Sequence, residues 1–224
     1  MAAATYTAHG KEATLYLAQG EGRPLVLLNN YAGDGSSVVE ALKGTGCSEL
    51  NLLVVGRLDW DHDMSPWECP PLSANDAACT GGAGEYLELL LGEILPRAKE
   101  LVRGRPAHTS IAGYSLAGLF ALWAAYNCDA FENVASMSGS LWFPGFADYC
   151  VSHDFARRPG KVYISLGDKE ARSRNELLKT VRQRTEAIVA HYRNADIDVQ
   201  WELNPGNHIT DAALRSAKGI AAIL

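Results

Sequence analysis

The segment Gly113-Tyr-Ser-Leu-Ala-Gly118 places a serine in a setting that suits nucleophilic chemistry. It follows a run typical of a short β-strand and precedes a strongly apolar run typical of a buried helix. A serine in a tight strand-to-helix turn needs small residues two positions away on each side, and Gly113 and Ala117 meet that requirement. The pattern therefore predicts a nucleophile elbow with Ser115 at its tip, beside the helix N-terminus. An ordinary glycine-rich turn is the alternative.

A serine hydroxyl is a weak nucleophile unless a base accepts its proton. Three histidines follow Ser115 in the chain, namely His153, His191 and His208. His191 falls inside an amphipathic run, and His153 falls in an irregular stretch. His208 comes after the last predicted strand, at the edge where open α/β sheets build their sites. His208 is therefore predicted to be the base, because it lies in a loop at this edge and because the order along the chain in this fold is serine, then acid, then histidine.

The acid that orients the imidazole should follow the strand before His208. The strand predicted at Lys161–Leu166 is followed by Gly167-Asp-Lys-Glu170, which offers two carboxylates. Glu170 is favoured because it lies one step into the loop, from which it can reach His208. Asp168 is the alternative acid, or else it holds the turn through backbone N–H groups.

Acyl transfer also needs donors for the oxyanion that develops in the transition state. The first donor is expected to be the N–H of Leu116, which follows the nucleophile. The second should come from the loop after an early strand, and the small and turn-forming residues of 29–35 make Tyr31 N–H the candidate. An ordinary Gly/Asn turn is the alternative for this loop.

Aliphatic runs alternate with amphipathic runs, which predicts βαβ units and a mostly parallel sheet flanked by helices. The predicted strands are Ala13–Ala18, Pro24–Asn29, Leu50–Arg57, His108–Gly113, Asn133–Met137, Lys161–Leu166 and Asp198–Leu203, with the first two forming an antiparallel start. The predicted helices are Gly84–Val102, Leu116–Tyr126, Asn175–Arg193 and Asp211–Ile223. Pro96 predicts a kink or a break in the first helix. Ser173 and Glu176 have capping-box spacing before the third.

Composition narrows the class of protein. The 224 residues are 47% hydrophobic and 21% charged, which disfavours disorder, collagen-like repeats and coiled coil. A net charge of −6 without a basic stripe disfavours nucleic-acid binding. No apolar run reaches the roughly 18 residues that cross a bilayer, and the first residues do not match a signal peptide. Five cysteines without a C-x-x-C pair predict reduced thiols in a cytoplasmic protein, with a Cys69–Cys79 bridge as the alternative.

Five stretches together resemble the esterases of the esterase D and enterochelin esterase type, within the α/β-hydrolases. They are Gly113–Phe120, Ser138–Trp142, Ser165–Glu170, Pro205–His208 and Trp60–Trp67, the last being similar to the W-x-x-D-x-S-P-W stretch of these proteins. The resemblance covers nearly the whole chain and implies a triad of Ser115, Glu170 and His208. Tyr31 matches the position after the His-Gly pair of many relatives, where this chain has Asn29-Asn30.

The long irregular stretch 59–82 is interpreted as part of the substrate cleft, because such loops are usually functional. Three polar or aromatic side chains of this stretch are expected to contact substrate, namely Trp60, Asp63 and Trp67. Asn30 and Trp142, from other segments, are expected to contact it as well. Asp59, Asp61, His62 and Asp63 could also be interpreted as a metal cluster. However, their spacing matches no EF-hand loop and histidine suits Ca²⁺ and Mg²⁺ poorly, so no metal is expected.

The sequence thus predicts one α/β-hydrolase domain over residues 1–224. No separate cap domain is expected, because only about 20 residues separate Ser140 from Lys161. The predicted activity is cleavage of a small-molecule carboxylic ester or thioester by Ser115, without a cofactor and without a nucleic-acid or membrane partner. The sequence leaves the oligomeric state open. An acyltransferase with the same triad and a non-catalytic binding protein are the alternatives. A siderophore ester is implied by the resemblance, but no basic excess favours an anionic iron chelate.

Overall fold

A computed structural model of the protein describes residues 2–47 and 49–224. The strands are β1 (Ala2–Ala8), β2 (Lys11–Leu17), β3 (Leu25–Asn29), β4 (Asn51–Gly56), β5 (Glu68–Cys69), β6 (Cys79–Thr80), β7 (Thr109–Tyr114), β8 (Asn133–Met137), β9 (Lys161–Gly167) and β10 (Val199–Asn204). The helices are α1 (Ser36–Lys43), α2 (Trp60–Asp63), α3 (Ala83–Leu89), α4 (Leu95–Leu101), α5 (Leu116–Asn127), α6 (Phe146–Ser152), α7 (Val181–Asn194) and α8 (Ala212–Ala222).

Eight of these strands form one sheet in the order β1-β2-β4-β3-β7-β8-β9-β10. The pairs β1–β2 and β2–β4 are antiparallel, and every pair from β4–β3 to β9–β10 is parallel. The predicted fold class, a mostly parallel sheet flanked by helices, is confirmed. The segment between β8 and β9 holds only the seven-residue helix α6, so no separate cap is present there.

The antiparallel start differs from the prediction, because β2 and β3 do not pair with each other. β4 lies between them, with Leu52 opposite Tyr16 on one side and opposite Val26 on the other. The side chain of Asn51 stabilises this insertion, since its Oδ1 accepts from Ala18 N at 3.0 Å and its Nδ2 donates to Arg23 O at 3.1 Å.

The sheet is buried on both faces because its strands are apolar on both sides. In β3, Leu25 and Leu27 pack with the core that includes α3, α4 and α5, whereas Val26 and Leu28 pack with the core that includes α1 and α8. Helix α5 is buried from Leu116 to Tyr126, as its uniformly apolar sequence predicts.

Two helix boundaries differ from the sequence prediction. The run 83–101 stays helical, and a π-helical segment, Leu90–Ile94, accommodates Pro96 near the start of α4, where a missing N–H costs little. Helix α7 begins at Val181 after a 3₁₀ turn, Leu178–Thr180. The predicted capping box is replaced by Asn175, whose Oδ1 accepts from the N–H groups of residues 177 and 178.

The register brings the carboxyl ends of the parallel strands to one edge of the sheet. Asn29 at the end of β3 lies opposite Gly113 in β7, and Gly167 at the end of β9 lies opposite Asn204 in β10. The loops that follow these strands therefore meet at this carboxyl edge. Within the described ranges, no helix is long and apolar enough to cross a membrane.

Candidate active site

The turn between β7 and α5 holds Ser115 in a conformation that L residues rarely adopt. Its backbone has φ 60° and ψ −125°. Ser115 N donates to Met137 O at 3.1 Å, while Ser115 O accepts from Gly118 N at 3.0 Å and from Leu119 N at 3.2 Å. Because these bonds fix both sides of the peptide, the strained turn is held in place by β8 and by the first turn of α5.

Small residues are required where the end of β7 and the start of α5 pack closely against each other and against β8. A Cβ atom at Gly113 would lie 2.0 Å from the Ala117 carbonyl oxygen, and one at Gly118 would lie 2.8 Å from Ser136 Oγ. Ala117 itself is fully buried. This chain therefore forms the elbow with alanine at the position where the G-x-S-x-G pattern has its second glycine.

A hydrogen-bonded series connects the loops after β7, β9 and β10. His208 Nε2 lies 2.9 Å from Ser115 Oγ, and His208 Nδ1 lies 2.7 Å from Glu170 Oε2. The His208 side chain is 45% exposed, whereas that of Glu170 is 4% exposed. The imidazole can thus exchange protons with a group at Ser115 while its far side contacts a buried carboxylate.

The two carboxylates of the loop after β9 point to different partners. Glu170 contacts His208, and its Oε1 accepts from Gly167 N at 2.6 Å. Asp168 Oδ1 instead accepts from Gly206 N at 2.7 Å, which holds the loop after β10 against the loop after β9. Between the two predicted acids, the geometry places Glu170 at the imidazole and Asp168 at the turn.

Glu170 stays ionised although it lies in the interior. Burial favours the neutral acid and by itself would raise the pKa of this carboxyl group. The hydrogen bond and charge of His208, together with the bonds from Gly167 N and the Ser138 hydroxyl, outweigh burial and lower the pKa below its ordinary value. A carboxylate is therefore available to hold Nδ1–H of the imidazole.

One cavity is lined by Ser115 and by the two residues whose N–H groups are predicted to bind an oxyanion. Leu116 and Tyr31 line this cavity together with Ser115, and its volume is about 280 Å³. Among the described residues, neither N–H donates a hydrogen bond to the protein. The two donors predicted for an oxyanion thus belong to residues that line the same cavity as the serine.

Two further cavities open on Ser115 and His208. One of about 460 Å³ is lined by the loop after β3 and by the start of α8, and includes Asn30, Tyr31 and Trp60. The other, of about 270 Å³, lies beside Trp142 and Leu178. The serine hydroxyl therefore lies where three cavities meet, which suits a bond with substituents on both sides.

Comparison with known proteins assigns the family. The family model described as "Putative esterase" matches residues 5–208. The chain belongs to this esterase family. Membership places it among the carboxylic ester hydrolases, in agreement with the resemblance noted in the sequence.

Individual relatives are distant in sequence. "Uncharacterized protein YbbA" of Bacillus subtilis (strain 168) is 26% identical over 174 residues, which cover 70% of this chain and 68% of that protein. The solved structure of siderophore hydrolase EstB from Aspergillus nidulans matches with a TM-score of 0.72 at 16% identity, over 99% of this chain and 95% of that one. The enterobactin esterase FES from Shigella flexneri matches with a TM-score of 0.73 at 15% identity, over 100% of this chain and 59% of that one. These structural likenesses show a shared fold.

Two residues predicted to contact substrate, Asp63 and Trp67, do not line the three cavities at Ser115. Asp63 is 5% exposed, forms an ion pair with Lys11 and accepts from Asp59 N at 2.8 Å. Trp67 donates from Nε1 to Pro144 O at 2.9 Å and packs on the rings of Phe143, Phe146 and Tyr149. A polar residue and a tryptophan of an irregular loop can also anchor that loop to the core, so contact of these two side chains with substrate stays a prediction. Asp63 anchors α2, and Trp67 anchors the segment that follows α2.

The other predicted contacts do lie at the cavities. Trp60 packs edge-on against Tyr31 with ring centroids 5.1 Å apart, and Trp142 lines two of the three cavities. Asn30 lines the largest one, while its Nδ2 donates to Ala32 O at 2.6 Å and so shapes the loop of Tyr31.

The possible metal cluster around α2 is dispersed. His62 Nδ1 lies 2.7 Å from Thr80 Oγ1, and Asp61 lines a cavity. No group of three or more potential metal ligands occurs in residues 2–47 and 49–224. Cys69 and Cys79 are opposite each other in the β5–β6 pair, and both are free thiols.

Sequence reasoning missed Arg215, which is 2% exposed and contacts Glu170. A signal was present, since Arg215 stands beside Ser216, Gly219 and Ile220 on the face of α8 that is buried. An arginine on the buried face of an amphipathic helix indicates a specific internal partner.

Proposed function

We propose that this esterase cleaves a carboxylic ester or thioester through an acyl-enzyme formed on Ser115. The observation that carries the proposal is the hydrogen-bonded series in which His208 contacts Ser115 Oγ through Nε2 and Glu170 through Nδ1. A serine, an imidazole and a buried carboxylate in this order are the parts of a nucleophile, a general base and an orienting acid.

The proposed reaction begins with attack of Ser115 Oγ on the carbonyl carbon while His208 Nε2 takes the hydroxyl proton. The carbonyl oxygen becomes an oxyanion, which the N–H groups of Leu116 and Tyr31 stabilise. The bond to the leaving oxygen or sulfur then breaks, and His208 returns the proton to that atom. Water repeats the sequence on the acyl-enzyme and releases the acid. Each oxyanion donor is expected to contribute about 10²- to 10³-fold in rate.

The cavity walls support an ester substrate without strong negative charge. Asp61 and Asp76 line the cavity that Tyr31 and Leu116 also line. In the described part of the chain, no lysine or arginine lines any of the three cavities at Ser115. Some structural relatives are named for siderophores, but these walls favour a neutral or cationic small ester over an anionic chelate.

The test is intact-mass analysis after incubation with a small fluorophosphonate, on the native protein, Ser115→Ala and His208→Ala. The proposal expects one adduct on the native protein, none on Ser115→Ala and strongly slowed labelling of His208→Ala. A folded native protein without an adduct would contradict it. Hydrolysis of a short p-nitrophenyl ester, with and without added alcohol, then separates transfer to water from transfer to an alcohol.

A further inference from the structure

Arg215 brings a positive charge into the interior beside the series of Ser115, His208 and Glu170. Its side chain is 2% exposed and lies on α8, close after the loop that carries His208. A buried cation is costly unless other groups neutralise it and accept its hydrogen bonds. The acceptors of Arg215 therefore indicate what its position achieves.

The guanidinium bridges four segments that meet at the carboxyl edge of the sheet. Nη1 donates to Glu170 Oε1 at 3.2 Å, Ser138 Oγ at 3.1 Å and Tyr114 Oη at 3.3 Å, and Nη2 donates to Pro205 O at 2.9 Å. Three of these contacts are to side-chain oxygens at the ends of strands next to the nucleophile. A lysine could not reach them together, because a guanidinium is a planar fork and an ammonium is a point charge.

Arg215 is connected to His208 by two routes. On the first, Arg215 and Gly167 N occupy Glu170 Oε1, which leaves Oε2 for the imidazole. On the second, Tyr114 receives a hydrogen bond from Arg215 and donates its own proton to the His208 carbonyl oxygen at 2.7 Å. The carboxylate and the backbone of the histidine are thus held by one side chain.

We propose that Arg215 is a positioning residue, which holds Glu170 rotated so that Oε2 faces His208 and thereby sets the orientation of the imidazole. The inference rests on the proposed function, because it assigns Arg215 a role through the Glu170–His208 pair. Arg215 does not line the cavities at Ser115, so its effect falls on the chemical step and not on substrate binding.

The charges around Glu170 set the sign of the expected pH effect. Arg215 contacts the carboxylate from α8 and His208 contacts it from the loop after β10, while Tyr114, at the end of β7, contacts Arg215. Asp168, on the same loop as Glu170, is turned to Gly206 N. Removing the Arg215 cation leaves the carboxylate with more negative potential, so the Glu170–His208 pair binds its proton more tightly. The acid limb of the kcat/KM profile should then move to higher pH.

The test compares Arg215→Met and Arg215→Lys in the full chain with p-nitrophenyl acetate as substrate. Arg215→Met should lower kcat about 10- to 100-fold, the range typical for groups that orient a reacting residue, with KM within about twofold. Its acid limb should move to higher pH. Arg215→Lys should lower kcat about fivefold while the acid limb stays near its native position, since the charge remains. The control is Lys218→Met, which removes another cation of α8. Lys218 pairs with Glu202 at 2.8 Å and contacts none of Ser115, His208 and Glu170, so this variant should change kcat less than twofold.

A double-mutant cycle with Glu170→Gln separates a positioning role from a structural one. If Arg215 acts through Glu170, most of the loss caused by either Arg215 variant disappears in the Glu170→Gln background. Arg215→Lys keeps the buried charge, so the cycle can be completed with it when Arg215→Met does not fold. An unchanged kcat and pH profile in Arg215→Lys and Arg215→Met, or an equal loss in both backgrounds, would overturn the inference. A native protein that neither hydrolyses the ester nor labels at Ser115 would instead contradict the proposed function.

Discussion

The carbonyl oxygen of Ala117 fills the space that a side chain at Gly113 would need. The ideal Cβ position of residue 113 lies 2.0 Å from this oxygen and 2.2 Å from the carbonyl carbon, and both atoms belong to the backbone of α5. Because backbone atoms cannot rotate away as a flexible side chain can, the contact sets how closely the start of α5 approaches the end of β7. The position of Ser115 depends on this approach.

We therefore expect Gly113→Ala to destabilise the protein by about 3 kcal/mol or more and to abolish labelling of Ser115 by a fluorophosphonate. Gly84→Ala is the matched control, because a Cβ at Gly84 meets no atom within 4 Å. That variant should gain up to about 1 kcal/mol from the higher helix propensity of alanine. Urea unfolding and intact-mass labelling measure both effects, and equal stability of the two variants would contradict the expectation.

The second prediction concerns the backbone strain at Ser115. At φ 60° and ψ −125°, a residue with a Cβ is strained, whereas glycine adopts such angles readily. Ser115→Gly should therefore be more stable than Ser115→Ala by about 1 kcal/mol, or about 2–4 °C in Tm for a chain of this size. Both variants lack the hydroxyl, so ester hydrolysis should be lost in both. A melting temperature of Ser115→Gly equal to or below that of Ser115→Ala would show that the turn is not strained.

Much of the fold follows from local pattern, and the differences have local causes. The parallel strands were predictable because buried strands are continuous aliphatic runs. β1 was not predicted, since its alanines and threonines lack a strong apolar pattern. A better signal was the His9-Gly10 pair, in which both residues have positive φ and form the tight turn to β2. α1 was also missed, because its eight residues bury only Val38, Val39 and Leu42.

The location of some site residues follows from the order of the strands, whereas the location of others depends on how side chains pack. Ser115, Glu170 and His208 were predictable as neighbours, since each follows a strand whose carboxyl end must lie at the same edge of the sheet. Arg215 was not, because its contact with Glu170 depends on how α8 rotates against the sheet. The same limit applies to Asp63 and Trp67, whose contacts with the interior the sequence did not predict.

The third prediction is the pH dependence of stability. Glu170 has a lowered pKa in the folded protein, where burial is outweighed by the hydrogen bond and charge of His208. The stability it contributes is fully present above its ordinary pKa and is lost as the pH falls through the lowered value. The free energy of unfolding of the native protein should therefore fall more steeply than that of Glu170→Gln as the pH is lowered from about 5 toward 3.

Urea titrations at a series of pH values measure this difference. Glu176→Gln serves as the control, because the Glu176 side chain is 82% exposed. Its stability curve should run parallel to that of the native protein. If Glu170→Gln also runs parallel to the native protein through the acid range, Glu170 does not gain a proton-linked contribution on folding.

The last prediction is selection by charge in the cavity that Tyr31 and Leu116 line. Asp61 lines this cavity, and its pKa is raised by burial and by the nearby carboxylates Asp59 and Asp76. Asp61→Asn should raise kcat/KM for an anionic ester about three- to tenfold and lower it for a cationic ester by a similar factor, since an ion pair near a surface contributes about 1 kcal/mol. The kcat/KM for a neutral ester of the same shape should change little.

Asp129→Asn is the control, because Asp129 is exposed and precedes β8 at the opposite edge of the sheet. Steady-state kinetics on the three matched esters decides between the possibilities. Equal changes for all three esters would mean that Asp61 shapes the cavity without selecting charge.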